Sequence, residues 1–515
     1  MAARGVAWVH GAVQSAEQQR AAVEAARPPD PMEGLANRLE LEGHRHKPGA
    51  FYLGRVHPDH GGNFEIGIAD DRHIFIMAGS RAGKGVSLGV QNALRWPGPL
   101  LMIDPKGEAA SISAMRRGTA EGAQGTGTSV RRFLGQKVAI LDPFKETKGP
   151  ARRYQIAYNP LSDIKMEVGG GVRQIRSAAS AIIVPEEGNG AHFSENADTI
   201  ICGVIEAVKL TEEPGKQTLV RCREILMSSF EELLSYLENV TTRAGLAREA
   251  FALIDDVGAE EWGSFKSTLS RNLKWLAEPD MQDHLQASTF SLWQAVQAGW
   301  SIFIVLPPDL IASNRSWLRL IVRTALSAKM ALGTNQKGPQ TLFFLDEFPA
   351  LGAVKAIEDS AGFMAGYGIK LVPIIQNIGQ LQNLYAKNWE TFLGNAGAII
   401  AFGLNDKGSE TYVADRLGKI MVYETSATNN AGFSGGGFSS GQSTSAGWRE
   451  RPIRFPNQIR VEAARETMRA FVVPASGHGF TIERAPYMET EDLSVFDSPD
   501  FIGQWERRYG QRIKS

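Results

Sequence analysis

The sequence predicts an α/β fold with a mainly parallel sheet, into which a separate all-α domain is inserted. Apolar runs of strand length alternate with segments of helical spacing, a pattern typical of parallel sheets with right-handed crossovers. From about Asn159 to Trp300 helical spacing continues alone, and strand-like runs are scarce. One strand-like run, His73 to Met77, leads through a Gly- and Ala-rich turn into a helix. These observations separate an α/β part of the chain from a helical part.

The same patterns divide the 515 residues into consecutive segments. They are a polar, partly helical leader (1–50), the first part of the α/β domain (51–160), the inserted all-α domain (161–298), the second part of the α/β domain (299–424), a Gly/Ser-rich loop (425–448) and a C-terminal segment (449–515). The composition of the loop cannot bury a core and predicts flexibility. The last segment is expected to pack on the core as closing strands and a C-terminal helix.

Composition restricts the class of protein. With 43% apolar and 22% charged residues the chain is globular, and its net charge of −1 gives no overall field that favours nucleic acid. A nucleic-acid partner would therefore need a local basic lining. Cys202 and Cys222 fit neither a metal-ligand spacing nor a disulfide framework, which favours buried thiols in a reducing compartment. No apolar run reaches about 18 residues and the N-terminus lacks signal-peptide features, so no transmembrane helix is expected.

The turn after His73–Met77 has the composition of a phosphate-binding loop. Small residues let the backbone wrap so that several N–H groups point at one phosphate, and Lys84 adds a positive charge. The helix that begins near Gly83 adds its positive dipole end. The residues expected to contact a nucleotide are Gly79, Ser80, Arg81, Ala82, Gly83, Lys84, Gly85 and Val86.

This loop departs from the consensus G-x-x-x-x-G-K-[ST] at both ends. Ala78 replaces the first glycine, and Gly85 replaces the hydroxyl residue that normally binds Mg²⁺. A water molecule, or Ser87, would have to supply that ligand. An ordinary glycine-rich turn gives a similar local pattern, so the interpretation depends on the other strand ends.

Two further strand ends carry side chains suited to nucleotide hydrolysis. The apolar run Thr341–Leu345 ends in Asp346 and Glu347, the hhhhDE form of a Walker B motif. Asp346 would hold Mg²⁺, usually through water, and Glu347 would polarise the water that attacks the γ-phosphate. Gln376, after the run Ile369–Ile375, would sense the γ-phosphate or orient water. The alternative is a pair of solvated acids and an amide in a helix N-terminal contact.

A second candidate site follows the run from Leu100 to Asp104. Asp104 and Lys106 lie at the carboxyl end of that strand, where ligands bind in open α/β sheets. A solvated strand-to-helix turn explains the same residues equally well.

The order of these motifs resembles that of type IV secretion coupling proteins, the TraG-type conjugation ATPases. In that family a small-residue P-loop, often ending in Gly-Lys-Gly, precedes a Trp-Pro stop and an Asp-x-Lys-Gly-Glu strand. The resemblance covers roughly residues 50 to 490. Its matching stretches are AGSRAGKGVSLGVQNALRWPGPLLMIDPKGE (78–108), Tyr158–Leu161, Pro307-Pro308 with Trp317–Leu320, Leu345–Phe348, Ile374–Tyr385, Phe402–Asp406 and RPIRFPNQIR (451–460).

The resemblance implies a RecA-like P-loop NTPase core with an inserted all-α domain, assembled as a homo-oligomeric ring, a hexamer. It also implies that ATP and Mg²⁺ drive single-stranded DNA, or protein-bound DNA, towards a secretion channel. Relaxase or secreted proteins would be substrates, and channel components would be partners. By the same resemblance Lys84 contacts phosphate, Asp346 holds metal, Glu347 is the base and Gln376 is the sensor. Asp104 and Lys106 match the second strand end of the family.

Two features depart from the family pattern. Typical members begin with transmembrane helices, and the lack of one here predicts a cytoplasmic protein, or one held at the inner membrane by partners. Some relatives carry an arginine between the Asp-Glu strand and the glutamine strand. Here Lys370 is the only cation between residues 360 and 370. A trans-acting arginine would then come from elsewhere, with Arg416 and Arg449 as candidates.

The sequence leaves two other functions open. A soluble HerA- or FtsK-like DNA motor is favoured by the missing membrane segment and opposed by the series of family motifs. A non-hydrolysing adaptor would use the helical domain to recruit relaxase or effector proteins. Ala78 and Gly85 favour the adaptor, whereas the intact Asp346–Glu347 pair opposes it.

Overall fold

The computed structural model of the chain is organised around one large mixed sheet. The residues it describes are 33–166, 170–186, 188, 190–241, 245–286, 288–334, 336–354, 357–358, 362–434, 437–489 and 495–497. The expectations for the leader before residue 33 and for a C-terminal helix after residue 497 lie outside them.

The strands are numbered in chain order. They are β1 (Phe51–Val56), β2 (Glu65–Ile68), β3 (His73–Ala78), β4 (Leu100–Asp104), β5 (Val138–Leu141), β6 (Ser301–Val305), β7 (Thr341–Leu345), β8 (Ile369–Ile375), β9 (Ala396–Phe402), β10 (Lys419–Ser434), β11 (Gly437–Pro452), β12 (Arg469–Pro474) and β13 (Phe480–Glu483). Eleven of them form the main sheet in the order β2-β1-β13-β12-β9-β3-β8-β7-β4-β6-β5.

The part of this sheet from β9 to β5 is parallel, and β12, β13, β1 and β2 continue it in antiparallel pairing. Every residue of β3, β4, β7, β8 and β9 is buried, as expected for apolar strands covered on both faces. The predicted α/β class with a mainly parallel sheet is thereby confirmed.

Helices connect the parallel strands and also form the inserted domain. They are α1 (Arg38–Gly43), α2 (Val90–Arg95), α3 (Glu108–Arg117), α4 (Gly171–Ile182), α5 (Gly190–Thr211), α6 (Leu219–Leu226), α7 (Phe230–Glu238), α8 (Gly245–Asn272), α9 (Pro279–His284), α10 (Leu292–Gln297), α11 (Arg315–Met330), α12 (Ile378–Tyr385), α13 (Trp389–Gly394), α14 (Lys407–Leu417) and α15 (Pro456–Glu462). Helices α4 to α10 all lie between β5 and β6, and α8 is broken at Gly258, where φ is 66°.

The segment 425–448 differs from the sequence prediction of a flexible loop. It lies within a hairpin in which β10 pairs with β11 in continuous antiparallel register, from Lys419 opposite Pro452 to Ser434 opposite Gly437. At its base Tyr423 and Trp448 face each other across the strands, with ring centroids 5.4 Å apart. The prediction failed because a ladder of main-chain hydrogen bonds needs no apolar composition, only a partner strand close in sequence.

The two ends of the described chain meet in the sheet. Strand β13 pairs with β12 on one side and with β1 on the other, and β12 pairs with β9 next to the phosphate loop strand. These are closing strands of the kind that the sequence analysis expected. Among the described helices, we find none with the length and apolar character that crossing a bilayer demands.

Candidate nucleotide-binding site

Four polar strand ends meet at one edge of the sheet. Strand β3 lies between β9 and β8, and β7 and β4 follow on the β8 side. Since these strands are parallel, their carboxyl ends share the edge where ligands bind in such sheets. The phosphate loop after β3, the acids after β7, Gln376 after β8 and Asp104 at the end of β4 are therefore brought together.

The phosphate loop is tightly wound and rests on the end of β9. Arg81 and Gly83 have positive φ angles of 59° and 89°, so the chain reverses direction twice within a few residues. A Cβ on Gly79 would overlap the carbonyl oxygen of Gly403, so only glycine allows this approach of two backbones. Ser80 and Arg81 are exposed, and Ala82 is buried. The strand–loop–helix expected from the sequence is present.

Lys84 lies directly against both acids of the Walker B-like strand end. Its Nζ is 2.7 Å from Oδ1 of Asp346 and 3.5 Å from Oε2 of Glu347, and its side chain is 18% exposed. Burial by itself lowers the pKa of the Lys84 ammonium, but the two carboxylates outweigh burial and raise that pKa above its ordinary value. The ammonium group is therefore firmly charged at neutral pH.

Glu347 adopts a backbone conformation that lets both acids face the same lysine. In a regular strand adjacent side chains point to opposite faces, but Glu347 has a φ of 60° in the left-handed region. Its N–H donates to Oδ1 of Asp346 at 2.9 Å, which closes this tight turn. A non-glycine residue here stores strain of about 1 kcal/mol, and such strain is concentrated at functional sites.

Gln376, at the end of the strand next to β7, contacts the glutamate. Its Nε2 donates to Oε1 of Glu347 at 3.1 Å. Its main-chain N–H donates to Oε1 of Gln380 in α12 at 2.8 Å, which fixes the end of β8. Lys84, Asp346, Glu347 and Gln376 thus form one continuous cluster, although the sequence separates them by up to 292 positions.

Ser87 is poorly placed for the role of magnesium ligand, because its side chain is buried and directed along its own helical turn. The side chain is fully buried in the π-helical turn Gly85–Gly89, and its Oγ donates to the carbonyl of Gly83 at 2.8 Å. The hydroxyl therefore points back along the helix and is already bonded. At Gly85 a Cβ would meet open space, so the position itself could accept a larger side chain.

The second candidate site is only partly assembled. Asp104 is buried, and its Oδ2 accepts the N–H of Ala110 at 2.8 Å, so it caps the turn into α3. Burial, reinforced by the negative charges of Glu108 and Asp346, raises the pKa of Asp104 to about 7. Lys106 is exposed. The negative charge of Asp346 in the main cluster therefore acts on Asp104, whereas Lys106 lies on the surface.

The donor set suits a magnesium ion bound mainly by phosphate and water. Within the described part of the chain, no three or more His, Cys, Asp or Glu side chains are arranged as a metal cage. One carboxylate next to a phosphate loop is what Mg²⁺ commonly receives from a nucleotide-binding protein, the remaining ligands being waters and phosphate oxygens. In this cluster Asp346 is the carboxylate that lies 2.7 Å from the Lys84 ammonium.

One residue at this site gave no signal in the sequence. Arg484, just after β13, is 1% exposed, and its Nη1 donates to the carbonyl of Ala82 at 2.5 Å. A single arginine 400 positions from the loop belongs to no recognisable motif. Only the pairing of the C-terminal strands next to β9 reveals its position.

Comparison with known proteins supplies the family. The sequence profile of the family described as "Type IV secretory system Conjugative DNA transfer" matches residues 36–493. The chain is 25% identical over 397 residues to "Conjugal transfer protein TraG" of Agrobacterium fabrum (strain C58 / ATCC 33970), covering 75% of the chain and 56% of the relative. To "Protein VirD4" of the same organism it is 24% identical over 356 residues, covering 67% and 49%. The chain thus spans about half the length of these curated relatives.

Solved structures show the same fold. The "Bacterial conjugative coupling protein TrwBdeltaN70" matches with a TM-score of 0.61 at 15% identity, covering 87% of this chain and 92% of that one. A TrwB structure described as a complex with ADP and Mg²⁺ has the same TM-score at 14% identity, covering 90% and 95%. Because the family profile spans most of the sequence and its motifs meet at one edge of the sheet, the chain belongs to the type IV secretory system conjugative DNA transfer family, that of the coupling proteins.

Proposed function

We propose that this chain is an ATP-driven coupling protein that recruits single-stranded DNA, or a nucleoprotein, and translocates it in conjugation or type IV secretion. The convergence of Lys84, Asp346, Glu347 and Gln376 at one edge of the sheet carries the proposal. Phosphoryl transfer needs a cation for phosphate, a carboxylate for Mg²⁺ and a group that orients water, and these residues provide all three. Family membership suggests the substrate class.

Nucleotide binding would use the phosphate loop together with Lys84 and Asp346. Main-chain N–H groups of residues 79–86 would surround the phosphates, and the Lys84 ammonium would contact the outer ones. The 2.7 Å ion pair of Lys84 with Asp346 supports this assignment, because a metal-bound nucleotide requires its phosphate-binding residue and its metal-binding residue to lie side by side. Bound Mg²⁺ supplies neutralisation of the phosphate charge. Solved complexes of TrwB with ADPNP and with ADP and Mg²⁺ support this choice of ligands.

Hydrolysis would depend on Glu347 and Gln376. The Glu347 carboxylate is 29% exposed, so an attacking water can reach it, and it is the group that would accept a proton from that water. The hydrogen bond from Gln376 holds the carboxylate in one orientation. Coupling to DNA would come from loops that move at subunit interfaces of a hexameric ring. Their contacts would be mainly to phosphate, and so sensitive to salt and weakly dependent on base sequence.

The test is ATP turnover by the full chain and by two variants. Lys84→Ala is expected to lower turnover at least about 100-fold, because the phosphates lose the ammonium charge that lies beside the metal carboxylate Asp346. Glu347→Gln is expected to retain ATP binding and to lose turnover to a similar degree. Lys148→Ala, which removes an exposed lysine after β5 on the same sheet, serves as the control and should leave turnover unchanged. Unaltered turnover in either site variant would refute the proposed role of that residue.

A non-hydrolysing adaptor is the second candidate, and one observation favours it. Gly85 leaves the loop without the hydroxyl that usually ligates Mg²⁺, and the Ser87 hydroxyl two residues later donates to the carbonyl of Gly83. Measuring turnover with and without single-stranded DNA separates the two candidates. A motor hydrolyses ATP faster when DNA is added, whereas an adaptor binds relaxase or effector protein with turnover at background in both conditions.

A further inference from the structure

Arg484 links the phosphate loop to the C-terminal closing strands through hydrogen bonds. Besides its 2.5 Å bond to the carbonyl of Ala82, its Nε donates to the carbonyl of Arg469 at 3.3 Å and its Nη2 to that of Arg465 at 3.4 Å. The guanidinium lies 4.1 Å from the ring centroid of Phe402, at the end of β9. One buried, permanently charged group thus joins the loop, β9 and the C-terminal closing strands.

The bond to Ala82 has a consequence for the next residue. In a trans peptide the C=O and the following N–H point in opposite directions. When the Ala82 carbonyl is turned to Arg484, the N–H of Gly83 must point to the other side of the loop. Gly83 has a φ of 89°, a conformation that glycine adopts without penalty.

The following peptide is fixed in the same way from the helix side. The carbonyl of Gly83 accepts hydrogen bonds from the Oγ and the N–H of Ser87, at 2.8 and 3.1 Å. The N–H of Lys84 belongs to the same peptide and is therefore also oriented. Two successive carbonyls bonded outwards leave two successive N–H groups facing the interior of the loop. Successive inward N–H groups form the concave anion site that cradles phosphate.

We propose that Arg484 is a positioning residue for phosphate binding, acting through the Ala82–Gly83 peptide. The inference rests on the proposed nucleotide function. Without the guanidinium, the Ala82 carbonyl would lose its buried donor and the peptide would be free to rotate, which would turn a carbonyl dipole towards the phosphate. Arg484 touches neither phosphate nor metal in this role, and Ser87 does the same for the Lys84 N–H.

The experiment compares phosphate binding in Arg484→Met, Arg484→Lys, Arg484→Ala and the unaltered chain. Affinities for ATP, ADP and tripolyphosphate are measured by calorimetry at a temperature where circular dichroism shows every variant folded. Arg484→Met is expected to weaken all three about 10- to 100-fold, because the Ala82 carbonyl loses the charged donor that orients its peptide. Arg484→Lys is expected to recover part of this, and added guanidinium ion is expected to restore binding to Arg484→Ala. A purely structural role predicts no such rescue.

Arg117→Met is the matched control. Arg117 is also a fully buried arginine that donates to main-chain carbonyls, those of Ala93 and Gly98, but it lies where β4 begins, at the opposite edge of the sheet. Its loss should lower stability and leave affinity for tripolyphosphate unchanged. If Arg484→Met binds as tightly as the unaltered chain, or loses no more affinity than Arg117→Met, the inference is wrong.

A second measurement uses the unaltered chain and does not depend on the folding of any variant. Hydrogen exchange of the Gly83 and Lys84 amides should slow when ATP binds, since both N–H groups would be bonded to phosphate. Exchange that is equal with and without bound ATP overturns the inference. Failure of the proposed function has a different signature, in which the unaltered chain does not bind ATP at all.

Discussion

At the scale of single residues, the metal-binding capacity of the site depends on position 85, which has no side chain. Gly85 occupies the place of a metal-binding hydroxyl, and a Cβ there meets open space, in contrast to Gly79 in the same loop. The phosphate loop can therefore accept a hydroxyl at position 85 without rearrangement, and the missing ligand can be restored by a single substitution.

Gly85→Ser is expected to reduce the Mg²⁺ concentration needed for half-maximal ATP binding, roughly 3- to 10-fold, because it replaces a water by a fixed oxygen ligand. Gly85→Ala is the control, since it adds the same Cβ without the oxygen. Fluorescence titration of a labelled ATP analogue with Mg²⁺ measures both. Equal Mg²⁺ requirements in the two variants would contradict the assignment of position 85 as the vacant hydroxyl position.

His284, at the end of α9, predicts a pH dependence of stability. It is 7% exposed and packs edge-on against Trp317, with ring centroids 5.5 Å apart, and its Nε2 has no hydrogen-bond partner within the described residues. Burial lowers the pKa of His284 to about 4, although Asp142 opposes the shift. In the unfolded chain His284 has a pKa near 6.5, so the unfolded chain binds this proton more tightly than the folded chain. Protonation of His284 therefore leaves the free energy of unfolding unchanged above pH 6.5 and lowers it progressively as the pH falls from 6.5 to 4.

His284→Phe preserves the ring packing and removes the titration. The free energy of unfolding of the unaltered chain should fall by up to about 3 kcal/mol more than that of the variant between pH 7 and pH 4. Urea unfolding at these pH values measures the difference. Parallel pH profiles for the two proteins would show that His284 does not couple to unfolding.

Sequence reasoning identified the residues of the site whose chemistry is local. Lys84, Asp346 and Glu347 stand in short motifs whose spacing follows from strand and loop geometry, and the parallel sheet then brings them together. Arg484 stands in no such motif, because its role depends on a hydrogen bond to the carbonyl of Ala82, which only the tertiary structure brings beside it. Ser87 differs, because its hydrogen bond is to the carbonyl of Gly83 four residues earlier, a local contact that directs the hydroxyl back along its own helical turn.

At the scale of elements, the inserted domain depends on a close crossing of α5 and α8. A Cβ on Gly203 would overlap Cβ of Ala250 and approach the carbonyl oxygen of Leu246 within 2.8 Å. Nearby, Glu206 accepts the N–H of Ala247 at 2.9 Å, so a buried carboxylate caps the start of α8. Helical spacing predicted the helices, but it could not indicate which glycine lies at a crossing.

Gly203→Ala and Gly263→Ala should therefore change stability in opposite directions. The first overpacks the crossing and is expected to cost about 1–3 kcal/mol. The second lies in α8 with open space around an added Cβ and should gain roughly 0.5–1 kcal/mol, since alanine is the better helix former. Thermal unfolding of both variants measures this contrast. Destabilisation of similar size in both would contradict the close crossing.

Among the elements, the hairpin of β10 and β11 was the least predictable. Its Gly-, Ser- and Thr-rich sequence carries neither the apolar alternation of a half-buried strand nor the long apolar run of a buried one. The long parallel strands were predictable for the opposite reason. They are apolar along most of their length because both faces are covered, and that is visible in the sequence.

At the scale of the whole molecule, the N- and C-terminal parts of the described chain stabilise each other. In the main sheet β1 pairs only with β2 and β13, so β13 connects the N-terminal strands to the parallel core. The C-terminal segment continues past Arg484 to Asp497, whose carboxylate accepts hydrogen bonds from the Oγ and the N–H of Ser129. The nucleotide site and both ends of the described chain therefore belong to one structural unit.

A chain that ends after Thr467 lacks β12 and β13 and is expected to expose residues 51–68 to protease, because β1 loses its connection to the sheet. A chain that ends after Asp497 retains every contact described here and serves as the control. Limited trypsin digestion with mass spectrometry identifies the cleavage sites. Equal protection of residues 51–68 in both chains would mean that β13 does not hold the N-terminal strands.

The position of β3 in the sheet has a consequence for biosynthesis. Its two neighbours, β8 and β9, begin at residues 369 and 396, whereas β3 itself ends at residue 78. At a ribosomal rate of about 5–20 residues per second, roughly 15–60 s pass before the first partner, β8, has been synthesised. During that interval a strand that is apolar from Ile74 to Ala78 has no partner on either edge, so the growing polypeptide carries an aggregation-prone segment until most of the chain has been made.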